Sequence, residues 1–275
     1  MTLKSNNMIG RTLTAAATFI LAATVVSHAA GQAYSRRIAV CVGINDYPSY
    51  APLSCSVNDA VEMSQVFKSY GFDKVLLLTD EEASRDDITA ALKEVGDEIG
   101  KNDLFVFFYA GHGWTGSDAN GNQMGYLLPV ETRRGHEADD GLSMQKLRDA
   151  ADRMPNRHSL FIMDSCYSGF GISVATDSTD WTSSRSIQML TAGGALDRAF
   201  EADGHGLFTR YILNYFHRSG GRNSGVSALK LAAYVRNRVK RETSGWQTPH
   251  FGRMGAGEIV IAMSDPATPA LAMAN

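Results

Sequence analysis

The stretch SLFIMDSCYSGFG (159–171) runs from an apolar segment into Asp164-Ser165-Cys166 and then into small and polar residues. Apolar continuity without polar alternation marks a strand buried on both faces of a sheet. The same pattern recurs outward in both directions: RRIAVCVGI (36–44), KVLLLT (74–79), LFVFFYA (104–110), SIQMLTA (186–192) and EIVIAM (258–263). Between these runs lie amphipathic segments with helical spacing. Ser56 to Tyr70 opens with Ser56 and Asp59 at capping-box spacing, and 84–100 repeats that S-x-x-D start. LSMQKLRDAADRM (142–154), GLFTRYILNYF (206–216) and ALKLAAYVRNRV (228–239) complete the set. Buried strands alternating with helices predict an α/β fold: a mostly parallel six-stranded sheet flanked by helices on both faces. In such sheets ligands bind at the carboxyl ends of the strands, where Gly111-His112-Gly113 and Asp164-Ser165-Cys166 both fall.

The start of the chain reads differently. Lys4 and Arg11 precede an apolar run from Leu13 to Val26, followed by Ser27-His28-Ala29-Ala30. The run is shorter than the roughly 20 residues that span a bilayer, and small residues follow where a peptidase would cut. The expectation is a signal peptide over 1–29, a folded domain over 35–264 and a disordered tail over 265–275, in a secreted or periplasmic protein with no membrane span. A formal net charge of −3 gives no sign of the basic surface that a nucleic-acid partner would need.

The chain holds three cysteines, Cys41, Cys55 and Cys166, too few for a disulfide scaffold. Two readings stand for Cys41: a bridge to Cys55, or packing within its strand. Cys166 is the odd thiol in an exported chain. A lone cysteine is most often a core residue, but Asp164, Ser165, Tyr167 and Ser168 are poor company for an apolar site. A thiol attacks carbonyl carbon as its thiolate and needs a base to take the proton. His112, at the end of the preceding buried strand, can serve as that base, with the Gly113 and Cys166 amides as donors to the developing oxyanion. Of the other histidines, His205 in Asp203-Gly204-His205-Gly206 repeats the His-Gly pair, and a turn or helix-start role is expected for it.

Three rival chemistries are weaker. Gly111 to Gly116 fits G-x-G-x-x-G after a strand, but a dinucleotide site needs a helix to follow, and SDANGNQMGY reads as a loop. No G-x-S-x-G elbow and no C-x-x-C spacing is present.

A histidine at one strand end and a cysteine 54 residues later at the next resembles the caspase clan of cysteine peptidases. Ala110-Gly111-His112-Gly113, Asp164-Ser165-Cys166-Tyr167-Ser168-Gly169, Val57-Asn58-Asp59-Ala60 and Trp246-Gln247-Thr248-Pro249 together look like the metacaspases and their bacterial relatives. That resemblance implies a caspase-like α/β/α sandwich and an endopeptidase with His112 and Cys166 as its dyad. It implies an acidic pocket, Asp59 and Asp164, that selects Arg or Lys before the cut. The alternative is a non-catalytic caspase-fold module used for binding or scaffolding. Some metacaspases hold calcium with four aspartates. Here Asp139-Asp140 match one pair, while Met124 and Ser173 stand near two of the other positions, so no metal site is expected and calcium dependence is doubtful. Members of the clan are often nicked after the nucleophile, and Arg185, in a polar segment expected to be mobile, is the candidate point of self-cleavage.

Overall fold

The computed structural model describes residues 34–117, 121, 123–166, 184–194, 200–219 and 226–262. The signal peptide and tail expectations, Ser173, and the stretch just after Cys166 lie outside the described residues. In chain order the elements are β1 (Arg37–Gly43), α1 (Ser56–Ser69), β2 (Lys74–Thr79), α2 (Arg85–Glu98), β3 (Leu104–Ala110), β4 (Gly113–Ser117), β5 (Gln123–Leu127), α3 (Glu137–Asp140), β6 (Leu142–Ser143) and α4 (Met144–Arg153). There follow β7 (His158–Cys166), β8 (Ser186–Gly193), β9 (Glu201–Ala202), β10 (His205–Gly206), α5 (Leu207–Ser219), β11 (Val226–Ser227), α6 (Ala228–Glu242), β12 (His250–Met254) and β13 (Val260–Ala262).

The central sheet has six strands in the order β12-β8-β7-β3-β1-β2. All its neighbouring pairs are parallel except β12 with β8. Helices cover both faces, because the apolar strands leave two surfaces to remove from water. On one face Ala39, Cys41, Phe108, Ala110 and Ile162 pack against Met63 and Phe67 of α1, Phe208 and Ile212 of α5, and Leu231 and Val235 of α6. On the other, Val40, Val42, Phe105, Phe107 and Phe161 meet Ile88 and Val95 of α2 and Leu147 of α4. Phe105, Phe107, Phe108 and Phe161 are essentially inaccessible, and each contributes about 1.5–3 kcal/mol from burial. Cys41 is one of these core residues; both it and Cys55 are free thiols, so no bridge joins them.

Three expectations change. The sixth strand of the sheet is β12, not EIVIAM. After α6 the chain turns through Trp246 to Pro249, and Gln247 Nε2 donates to Ala192 O at 3.2 Å, which lays 250–254 antiparallel along β8. The β-branched 260–262 segment pairs instead with β11. Second, the loop expected after Gly116 contains β5, which forms a small sheet with β4 and β6. Gly116 lies inside β4 and β5 follows from Gln123, so strands stand where a dinucleotide site needs a helix. Third, Ser84 caps α2 as expected, accepting from Asp87 N at 3.1 Å, an interaction worth about 1 kcal/mol. At α1 the N-cap is Cys55 with no side-chain bond, so Ser56 and Asp59 form no capping box. Asp59 is left for other partners.

Candidate active site

Strands β3 and β7 run side by side with Ala110 opposite Asp164, and Gly111 N donates to Asp164 O at 3.3 Å. His112 lies two residues past Ala110 and Cys166 two past Asp164, so the backbones of both reach the same edge of the sheet. Cys166 closes β7, opposite Gly193 of β8, after a register irregularity between Met163 and Cys166. For Cys166 the backbone alone is described.

His112 is held from several sides. Its Nε2 lies 2.8 Å from Ala51 O. A carbonyl can only accept, so the ring proton sits on Nε2 and Nδ1 carries the basic lone pair. The imidazole stands 4.8 Å from the Tyr47 ring and 5.5 Å from that of Tyr50, centroid to centroid. Nothing in sequence spacing pointed to the loop between β1 and α1 as the partner of this histidine. The one legible hint was its density of aromatic residues, Tyr47 and Tyr50, before Pro52. Gly113, the expected oxyanion donor, opens β4 directly beside His112.

The two expected pocket carboxylates do come together. Asp59 rises from the first turn of α1 and Asp164 from the end of β7, and both reach Gly206: a methyl group there would lie 2.4 Å from Asp164 Oδ2 and 3.2 Å from Asp59 Oδ2. Only glycine fits between them. Asp59 is 2% exposed, and both of its oxygens are taken. Oδ1 accepts from His205 Nδ1 at 2.7 Å and Oδ2 from Gly206 N at 3.1 Å. Asp164 Oδ2 accepts from Thr209 N at 3.2 Å and Thr209 Oγ1 at 2.6 Å, while its Oδ1 has no partner among the described residues. Of the pair, Asp164 is the one with an oxygen free for a ligand.

Burial lifts the Asp59 carboxyl well above the usual carboxylate range, and the nearby Asp164 charge adds to this. Burial also lifts Asp164, although the Thr209 bonds pull it partly back. Two buried carboxylates this close hold one negative charge more readily than two. A cation between them relieves that repulsion.

His205 does more than the turn role expected of it. Asp203 and Gly204 both have positive φ (56° and 78°), the primed hairpin turn that a D-G pair favours. That turn joins β9 to β10 and delivers the imidazole to Asp59, with Nε2 3.3 Å from Glu62 Oε1. The repeated His-Gly pair was the signal, and it marked a wall of the acidic pocket.

The remaining expectations fare differently. Asp140 accepts from Arg133 N, Nε and Nη2 at 2.8–3.1 Å, so a guanidinium already occupies its carboxylate. Asp139 is exposed beside it, and Met124 sits in β5. Among the described residues no group of three or more His, Cys, Asp or Glu side chains is arranged to hold a metal ion. Arg185 is not loose: its Nη2 donates to Ala151 O at 2.8 Å and Asp152 O at 3.1 Å at the end of α4. The next residue is pinned too, Ser186 N donating to Arg157 O at 2.9 Å. A protease would have to strip these contacts to cut after Arg185.

Comparison with known proteins gives the family of the chain. The caspase domain matches residues 36–257. The chain therefore belongs to the caspase-domain family of cysteine peptidases. It is 31% identical over 148 residues to Metacaspase-1 of Meyerozyma guilliermondii, covering 49% of this chain and 35% of that protein. Metacaspase-1 of Pyricularia oryzae is 30% identical over 154 residues, covering 50% of this chain and 38% of that one. The match thus spans little more than a third of those relatives' length. A crystal structure of a Geobacter sulfurreducens protein superposes with a TM-score of 0.62 at 19% identity, covering 85% of this chain and 98% of that one, a likeness of fold. Among the described residues no helix is long and apolar enough to cross a membrane.

Proposed function

We propose that the chain is an exported cysteine endopeptidase that hydrolyses protein substrates after Arg or Lys with a Cys166–His112 dyad. The observation that carries this reading is the β3–β7 register, which brings residues 112 and 166 to one edge of the sheet from distant parts of the sequence. His112 Nδ1 takes the thiol proton, and the Cys166 thiolate attacks the scissile carbonyl carbon. The oxyanion that forms accepts from the Gly113 and Cys166 amides, a contribution of about 3–4 kcal/mol per donor in such sites. His112 then gives its proton to the departing amine, leaving a thioester. Water, losing a proton to His112, attacks that thioester and releases the acid product and the thiol.

The cation preceding the cut enters between Asp164 and Asp59 and bonds to Asp164 Oδ1, a charge-assisted contact roughly twice as strong as a neutral one. The Arg133–Asp140 pairing supports a reaction that runs without calcium. The short apolar run from Leu13 to Val26 supports export.

Matched Arg-, Lys- and Asp-linked reporter peptides test the reading. The expected result is turnover of the first two, lost in Cys166→Ala and in His112→Ala. Preference for Asp would overturn the acidic pocket. Binding of a partner by all three proteins with no turnover by any would favour the non-catalytic module.

A further inference from the structure

The segment from Ile44 to Cys55, between β1 and α1, touches His112 at three places. Ala51 O takes the ring proton, and the rings of Tyr47 and Tyr50 flank the imidazole. The third contact is with the main chain. Tyr47 Oη accepts the His112 N–H at 3.0 Å and donates to Leu128 O at 3.1 Å, where β5 has ended. Tyr109 Oη, 3.2 Å from Tyr47 Oη, donates to His112 O at 2.8 Å. Two phenols thus grip the N–H and the C=O of one residue, just where it leaves the sheet and the ladder no longer fixes it. Tyr47 is buried, 6% exposed, so its hydroxyl cannot trade these bonds for water.

Two further observations agree. Gly111 is the residue whose lack of a side chain lets both hydroxyls in: a methyl group there would lie 2.6 Å from Tyr47 Oη and 2.7 Å from Tyr109 Oη. The loop itself is braced at both ends. Asn45 N and Asp46 N donate to Asp80 Oδ1 at 2.7 and 3.0 Å, and Asp80 holds this position at a φ of 43°, uncommon for a side chain-bearing residue. Farther along, Tyr50 Oη donates to Glu137 Oε1 at 2.5 Å.

We infer that Tyr47 is a positioning residue for the general base: its hydroxyl, ring and loop fix where the His112 imidazole stands relative to Cys166. This rests on the dyad reading above. In this reading Tyr47 acts through His112, whose N–H it accepts and whose ring it flanks. A displacement of about 1 Å in a catalytic group can cost about 10²-fold in rate.

The test uses Tyr47→Phe, which keeps the ring and removes one oxygen, with Gly111→Ala as a second route to displace the same hydroxyl. Two quantities are read: kcat and KM on an Arg reporter, and the pH dependence of Cys166 alkylation by iodoacetamide, followed by mass spectrometry of the Cys166 peptide. A thiol beside a poised imidazole reacts as thiolate at pH values below the ordinary cysteine range, near 8.5. The expected result is a kcat about tenfold lower or more in both variants, with KM within about twofold. The alkylation midpoint shifts toward that of an ordinary thiol. A purely structural role would lower melting temperature and leave kcat per folded molecule and the midpoint unchanged, and that result overturns the inference. Should the wild-type thiol itself alkylate as an ordinary one, unaffected by His112→Ala, the dyad reading fails and this inference falls with it.

Discussion

Two clusters at the carboxyl edge of the sheet are built on opposite principles. Around His112 three polar groups are matched, ring proton to Ala51 O, N–H to Tyr47 and C=O to Tyr109, and Nδ1 alone is left as the basic lone pair. Around Gly206 two carboxylates are pressed together in a site that favours one charge, not two. The first cluster gains stability from its contacts and the second gives some up. On the proposed reading, a catalytic base needs one position, which the first surroundings over-determine, and a cation pocket needs unmet negative charge, which the second surroundings supply.

The largest expected effect lies in the matched cluster. His112→Ala and Cys166→Ala should each lower kcat/KM on an Arg reporter by about 10³-fold or more, the scale of losing acid–base or nucleophilic catalysis. Tyr47→Phe should follow, with its loss confined to kcat. In the repulsive cluster Asp164→Asn should raise KM for Arg reporters about tenfold, the cost of one charge-assisted bond at ~1.5 kcal/mol, with kcat changed little. Equal losses in kcat and KM there would break the contrast between the two clusters.

Smaller, and of opposite sign for stability, is Asp59→Asn. Its carboxyl already prefers the neutral form, so the amide should raise Tm by a few degrees at neutral pH, roughly 1 kcal/mol in a domain this size, measured by thermal melt. Because that carboxyl is already neutral, the same substitution should change KM for Arg reporters little, the bond to the cation resting on Asp164.

The pH dependence follows from the direction of these shifts. A carboxylate raised above its ordinary value near 4 takes up its proton at a higher pH than usual. KM for Arg reporters should therefore increase as pH falls through the weakly acidic range, before ordinary surface carboxylates titrate. For stability the sign is the reverse. The folded chain binds these protons more tightly than the unfolded chain, so the pair destabilises the fold at neutral pH and ceases to do so once protonated in acid. A KM flat down to pH 4 would contradict the buried pair.

Much of this was legible in the chain because buried parallel strands announce themselves. LFVFFYA and SLFIMD have no polar alternation, and His112 and Cys166 each follow two residues after one of them, so the backbones of both could be placed at one sheet edge before any coordinates. EIVIAM shows the limit of that signal. Its propensity is strong, but the turn after α6 delivers the weaker HFGRM to the open edge of β8, and a sheet edge is filled by whichever segment the connection brings there. The S-x-x-D at Ser56 misled for a related reason: a short motif states what a side chain can do locally, and Asp59 was claimed by His205 and Gly206, almost 150 residues away. Main-chain partners such as Ala51 O carry no residue-type signature at all.

The most direct test of the central claim is covalent labelling with an Arg chloromethyl ketone, followed by peptide mapping. The account predicts one adduct, on Cys166, formed quickly in wild type, slowed by Asp164→Asn and nearly absent in His112→Ala. Labelling of another residue, or equal labelling of Cys166 with and without His112, would contradict it.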